Sequence, residues 1–97
     1  YNQVLAVAPN KPFMIGEFGS VEEGGSKADW FSDALNTQLP GKYGRVRAIV
    51  YFNFAFDGVD WRIETTDSSS AAWRQGVGAG YYAANAFGSI TGQVPVP

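Results

Sequence analysis

Ninety-seven residues, 45% apolar, 16% charged and with a net charge of −2, amount to one small domain with fewer charges than usual. There is no Cys and no His, which excludes disulfides, zinc fingers, Cys/His pairs and Ser-His-Asp triads within the chain and leaves a carboxylate as the natural carrier of any chemistry. Seven Lys+Arg against nine Asp+Glu leave no basic footprint for nucleic acid, and no run of 18 apolar residues occurs, so neither a nucleic acid nor a membrane is expected as a partner.

Aromatic residues make up 15% of the chain, with three Trp, five Tyr and seven Phe, enough for a large core or for a surface that stacks on flat ligand faces such as sugars. The chain begins at Tyr1 without an initiator Met or a signal-peptide pattern, and is expected to be a piece of a longer one.

In chain order, Tyr1, Val4, Leu5 and Ala8 fall on one helical face, and Pro9 stops that helix. Phe13 to Gly19 is a short run apolar on both faces, the pattern of a strand buried on both sides in a parallel sheet. Ser20 to Gly25 reads as loop, with Glu22 and Glu23 a solvated face. Ser26 with Asp29 forms a weak capping box, and the helix behind it carries Ala28, Phe31, Ala34, Leu35 and Leu39 on one face before ending at Pro40-Gly41.

A second strand is predicted over 46–53. From Phe54 to about Ser70 runs a long polar loop, with Asp60 and Arg62 placed to tie it by an ion pair. A last helix is predicted from about Ala71 to Phe87 with Trp73, Val77, Tyr81 and Ala84 on a stripe; its glycines at 76, 78 and 80 imply close packing on a neighbour. Residues 88–97 read as a linker-like tail.

The strands begin 34 residues apart, the spacing of a βαβ crossover with parallel strands. Two such strands would leave both edges open and apolar, so further strands are required from a parent chain or from other copies.

Glu17 stands out. It lies at the carboxyl end of an apolar strand, where α/β sheets and barrels bind their ligands, and a carboxylate there costs desolvation unless it has partners. Alternation puts Phe13, Ile15 and Glu17 on one face. A strand-end Glu satisfied by backbone N–H groups or an Arg is the structural alternative. Tyr51 and Asn53, at the end of the second strand, and Trp61, in the loop, are candidates for sugar contacts or equally for structural roles; Trp30 and Trp73 read as packing residues.

Lys11 to Ser20 (KPFMIGEFGS), Gly25 to Trp30 (GSKADW), Ala48 to Asn53 (AIVYFN) and Asp60 to Ile63 (DWRI), in that order, resemble the C-terminal quarter of glycoside hydrolase family 26, endo-β-mannanases and related β-glucan and xylan hydrolases on a (β/α)8 barrel. The resemblance covers residues 1–87. It implies an α/β fold in which residues 12–19 and 46–53 are barrel strands seven and eight of a TIM barrel that is incomplete as 97 residues. It implies that Glu17 is the catalytic nucleophile and that Tyr51 stands where such barrels often carry a Trp under the sugar. The family's acid/base Glu and its neighbouring His, on strand four, have no counterpart in the chain.

The resulting expectation is part of a retaining, secreted glycoside hydrolase acting on a β-1,4-linked plant polysaccharide, mannan first, without metal or cofactor, the chain alone being inactive. Its partners would be the polysaccharide and the remainder of the barrel. The alternatives are a non-catalytic fragment or self-associating quarter-barrel, or a carbohydrate-binding module built on Tyr51 and Trp61, although such modules are usually sandwiches of many short strands, a pattern not seen here.

Overall fold

Two parallel strands covered on one side by helices form the body of the described residues, 1–83, of the computed structural model. Helix α1 (Asn2–Val7) forms where the periodicity predicts and ends ahead of Pro9, yet it buries none of its residues. It is held at its start, where the Tyr1 hydroxyl accepts a hydrogen bond from Arg45 N (3.1 Å) and the Tyr1 ring meets Phe13 and Tyr43 edge-on.

Strands β1 (Phe13–Phe18) and β2 (Val46–Tyr51) pair in parallel, as their spacing predicts. The register is interrupted twice. Between Phe13 and Met14 the extra residue is on β2, and between Ile15 and Phe18 it is on β1. The second irregularity changes which side chains share a face. Phe13, Ile15 and Phe18 pack toward the helices, with Ile49 and Tyr51 from β2, and Glu17 drops out of the set that strict alternation gives it.

The double burial expected of both strands is not seen among the described residues. Helices cover one face, while Met14 and Val50 on the other are 67% and 51% exposed. The structure is therefore a mixed α/β arrangement in which a two-stranded parallel sheet has one covered face among the described residues.

Helix α2 (Lys27–Asp33) starts at Ser26, whose hydroxyl accepts from Asp29 N at 3.1 Å. It continues through a π-helical turn, Ala34–Gln38, into the short helix α3 (Leu39–Lys42). Pro40 therefore lies within the rod rather than ending it. Proline has no N–H and its ring crowds the carbonyl four residues back, and the wide turn just upstream, where Leu39 N bonds to Ala34 O, gives the ring its room.

The long loop expected after β2 is partly regular. Ala55–Phe56 (β3) and Val59–Asp60 (β4) pair antiparallel across Asp57-Gly58, both at positive φ (53° and 77°), as a type I′ hairpin turn requires. A 3-10 turn, Ile63–Thr65, follows.

Helix α4 (Asp67–Val77) begins four residues before the predicted start because Thr66 and Ser69 form a reciprocal capping box, and it ends at Gly78. Of the predicted stripe, Trp73 and Val77 pack on the core, Tyr81 is exposed beyond the helix, and Ala84, Phe87 and the 88–97 tail lie outside the described residues.

The buried core is Phe31, Leu35, Leu39, Val46 and Ala72. Helix α4 meets α2 and the π-helical turn through small residues, Ser69, Ala72 and Gly76. A Cβ on Gly76 would stand 2.6 Å from Leu35 Cδ1 and 2.8 Å from Leu35 Cβ, so the close packing inferred from the glycines holds at this position. Gly76→Ala gains up to about 1 kcal/mol of helix propensity but overpacks the contact by about 1–3 kcal/mol. A lower thermal unfolding midpoint is the expected result, and a raised midpoint would show that Leu35 can yield.

Candidate functional site

The carboxyl ends of β1 and β2 open into a cleft of about 420 Å³ lined by Glu17, Gly19, Phe52, Phe56 and Trp61. Glu17 is exposed within it and is its one charged side chain among the described residues. The Trp61 ring stands edge-on to Phe52, centroids 5.5 Å apart. Gly19 lies against Trp61, a Cβ there standing 3.4 Å from the indole Cδ1, at ordinary contact distance. A larger hollow toward the other end of the strands, lined by Phe13, Leu39, Tyr43 and Val46 among others, has no charged side chain. Among the described residues, the first therefore offers a carboxylate for acid or nucleophilic chemistry and the second does not.

Glu17 and Trp61, two of the predicted site residues, are brought together. Tyr51 and Asn53 stand behind them. The Tyr51 ring faces the helix layer, with centroids 4.9 Å from Trp73, 5.3 Å from Phe31 and 6.3 Å from Phe18, and its hydroxyl donates to Trp61 O at 2.6 Å. Burial pushes the Tyr51 phenol above its ordinary pKa, against a smaller opposing effect from the Ser20 backbone. Asn53 Oδ1 accepts from Ile63 N at 2.7 Å. Both side chains tie down the segment that carries Trp61. Phe52, next to Tyr51 and on the opposite face of the chain, is the one of the two that enters the cleft.

Phe52 and Phe56 are the two cleft residues that the sequence analysis misses. The Asp57-Gly58 pair was the available signal, because a type I′ turn there implies a hairpin that fixes Phe56 beside Trp61.

Three polar devices hold the 53–66 segment. Lys27 is fully buried, and its Nζ donates to Asp60 O (3.1 Å), Arg62 O (2.9 Å) and Thr65 Oγ1 (2.8 Å). Arg62 and Asp60 form the expected ion pair, Nη2 to Oδ2 at 2.8 Å and Nε to Oδ1 at 3.0 Å, and Arg62 N also donates to Oδ1 at 2.9 Å. Glu22 is not a solvated loop residue. Its Oε2 accepts from Lys27 N (3.0 Å) and its Oε1 from the Thr66 hydroxyl (3.1 Å), joining the starts of α2 and α4, where a carboxylate also meets the helix dipoles favourably. Trp30 and Trp73 pack within the aromatic cluster, as predicted. No three His, Cys, Asp or Glu side chains among the described residues stand close enough to hold a metal ion, and no helix there is long and apolar enough to cross a membrane.

The chain is 42% identical over 71 residues to endoglucanase H of Acetivibrio thermocellus, a match spanning 73% of this chain and 8% of that protein. The matched stretch is related to a part of that protein. No family model matches the chain.

Two expectations follow. Lys27→Met takes the buried donor from Asp60 O and Thr65 Oγ1 and leaves Arg62 O only the Thr65 hydroxyl, at a cost of roughly 3 kcal/mol. A drop in chemical-denaturation stability is expected, with the 53–66 amides exchanging faster than those of β1; unchanged stability would mean that water replaces the ammonium.

Asp60 is held well below the usual carboxylate range by the Arg62 side chain first and by its backbone N–H second. Its contribution to stability is complete above the unfolded-state value, near 3.8, and is lost as pH falls below that toward the lower folded value. The acid limb of the stability profile should therefore flatten below pH 4 in Asp60→Asn; an acid limb identical to wild type would show that the pair contributes nothing.

Proposed function

We propose that this chain belongs to a retaining glycoside hydrolase acting within β-linked polysaccharides and that Glu17 is its nucleophile. The observation that carries the reading is a lone carboxylate at the carboxyl end of a parallel strand, set in a cleft whose other walls are aromatic. Flat apolar faces suit the C–H face of a pyranose, and a carboxylate beside them suits attack at the anomeric carbon.

Similarity to a protein named an endoglucanase supports a β-glucan as substrate, and the sequence resemblance to family 26 supports β-1,4-mannan, so both polymers are to be tested. In the same reading Trp61 contacts substrate directly, Tyr51 and Asn53 position it from behind, and the parent enzyme is secreted.

Retention needs a second carboxyl group about 5–5.5 Å from the first, to protonate the leaving oxygen and then activate water. Glu17 is the cleft's one carboxylate among the described residues, so the acid/base comes from another part of the parent protein. That part also explains the bare sheet face. Met14, Ala48 and Val50 would be interior residues of a (β/α)8 barrel whose remaining strands cover them.

Glu17→Ala in the intact protein is expected to lower kcat on β-glucan or mannan by about three orders of magnitude or more, with the unfolding midpoint unchanged or raised. Added azide should restore turnover of an aryl glycoside with a good leaving group and give the inverted glycosyl azide, because the small anion fills the place of the lost carboxylate. Near-normal kcat with a lowered midpoint would end the catalytic assignment and leave Glu17 a structural residue.

A further inference from the structure

The hairpin beyond β2 carries an aromatic with no packing role. Phe56 is 65% exposed, yet its backbone is fixed by pairing with Val59 and by the two positive-φ residues of the turn. It is the middle of no hydrophobic cluster, but it lines the cleft that holds Glu17. Phe52 lines the same cleft, and Phe54, between the two in sequence, does not. The Phe52 and Phe54 rings meet at 6.3 Å, and Phe54 is 57% exposed.

Phe52, Phe56 and Trp61 thus give the Glu17 cleft three aromatic walls. A single exposed Phe is unremarkable on any protein surface, but one that lines a carboxylate-bearing cleft with two other aromatics suits the binding of a ligand.

We propose that Phe56, with Trp61 opposite, forms a stacking subsite for a sugar unit of a β-linked glycan lying beyond the unit at Glu17. The proposal rests on the glycosidase reading of that residue. The cleft is open and has an ionisable group at its end, so a wholly apolar ligand would strip water from the carboxylate without replacing it. A pyranose has an apolar C–H face for the rings and a hydroxyl rim that keeps contact with water and with the carboxylate, and it satisfies both surfaces at once.

The test is calorimetric titration of the intact protein in a Glu17→Ala background, so that binding is read without turnover, with a β-1,4-glucan hexasaccharide and a β-1,4-mannan hexasaccharide as probes. Phe56→Ala should weaken binding of at least one probe by about tenfold, and Phe56→Tyr, which keeps the flat face, should leave it within about twofold. The hairpin should stay formed in both variants, since the replaced ring is mostly in water.

Equal affinity in the Phe56→Ala variant overturns the subsite, as does failure of the unsubstituted background to bind either hexasaccharide. If binding depends on Phe56 but Glu17→Ala alone leaves hydrolysis intact, the subsite stands and the nucleophile assignment falls.

Discussion

A buried ammonium group organises the functional end of this molecule. Lys27 starts helix α2, and its side chain crosses to the segment after the hairpin, where two backbone carbonyls and a hydroxyl receive its three protons. Backbone carbonyls in an irregular segment have no ladder to bond to, and a lysine supplies three donors from one point. The Lys27 backbone N–H is itself taken by Glu22, whose other oxygen reaches Thr66 at the start of α4. One residue therefore binds a helix, the Trp61-bearing segment and, through Glu22, a second helix. The support of the cleft wall is thus polar and comes from behind.

The strand pair divides its aromatic residues between two tasks. Tyr51 and Phe52 are neighbours in sequence, and the pleat sends one to the core and the other to the cleft. The extra residue in β1 matters in the same way, because it gives Phe18 the helix-facing place and frees Glu17 for the open end. Register, more than composition, decides which side chains can meet a ligand.

Much of this was legible in the residues. Apolar runs bounded by Pro and Gly located both strands, the Ser26 cap located α2, and the position of Glu17 at a strand end drew attention to the cleft. Strict alternation put Glu17 on the face of Phe13 and Ile15, because the bulge between Ile15 and Phe18 is a property of the strand pair and only Gly16 hints at it in the sequence. The Asp57-Gly58 hairpin left a mark that polar surroundings obscured. Lys27 and Glu22 look like ordinary surface charges in sequence, since the partners of the Lys27 ammonium and the Thr66 partner of Glu22 lie 33 to 44 residues away, two of them backbone carbonyls and two hydroxyls. Pro40 was read as a stop because propensity does not anticipate a π-helical turn.

The contact between Gly76 and Leu35 has a consequence for how this sequence can drift. The two positions share one fixed volume, with the whole of it held by the leucine. A methyl group enters at 76 without strain only if carbon is surrendered at 35, so the cost of each substitution depends on the other, and their combined effect departs from the sum of the two alone. In related chains the pair should trade size in opposite directions, a signature of coevolution in a part of the molecule that touches no ligand.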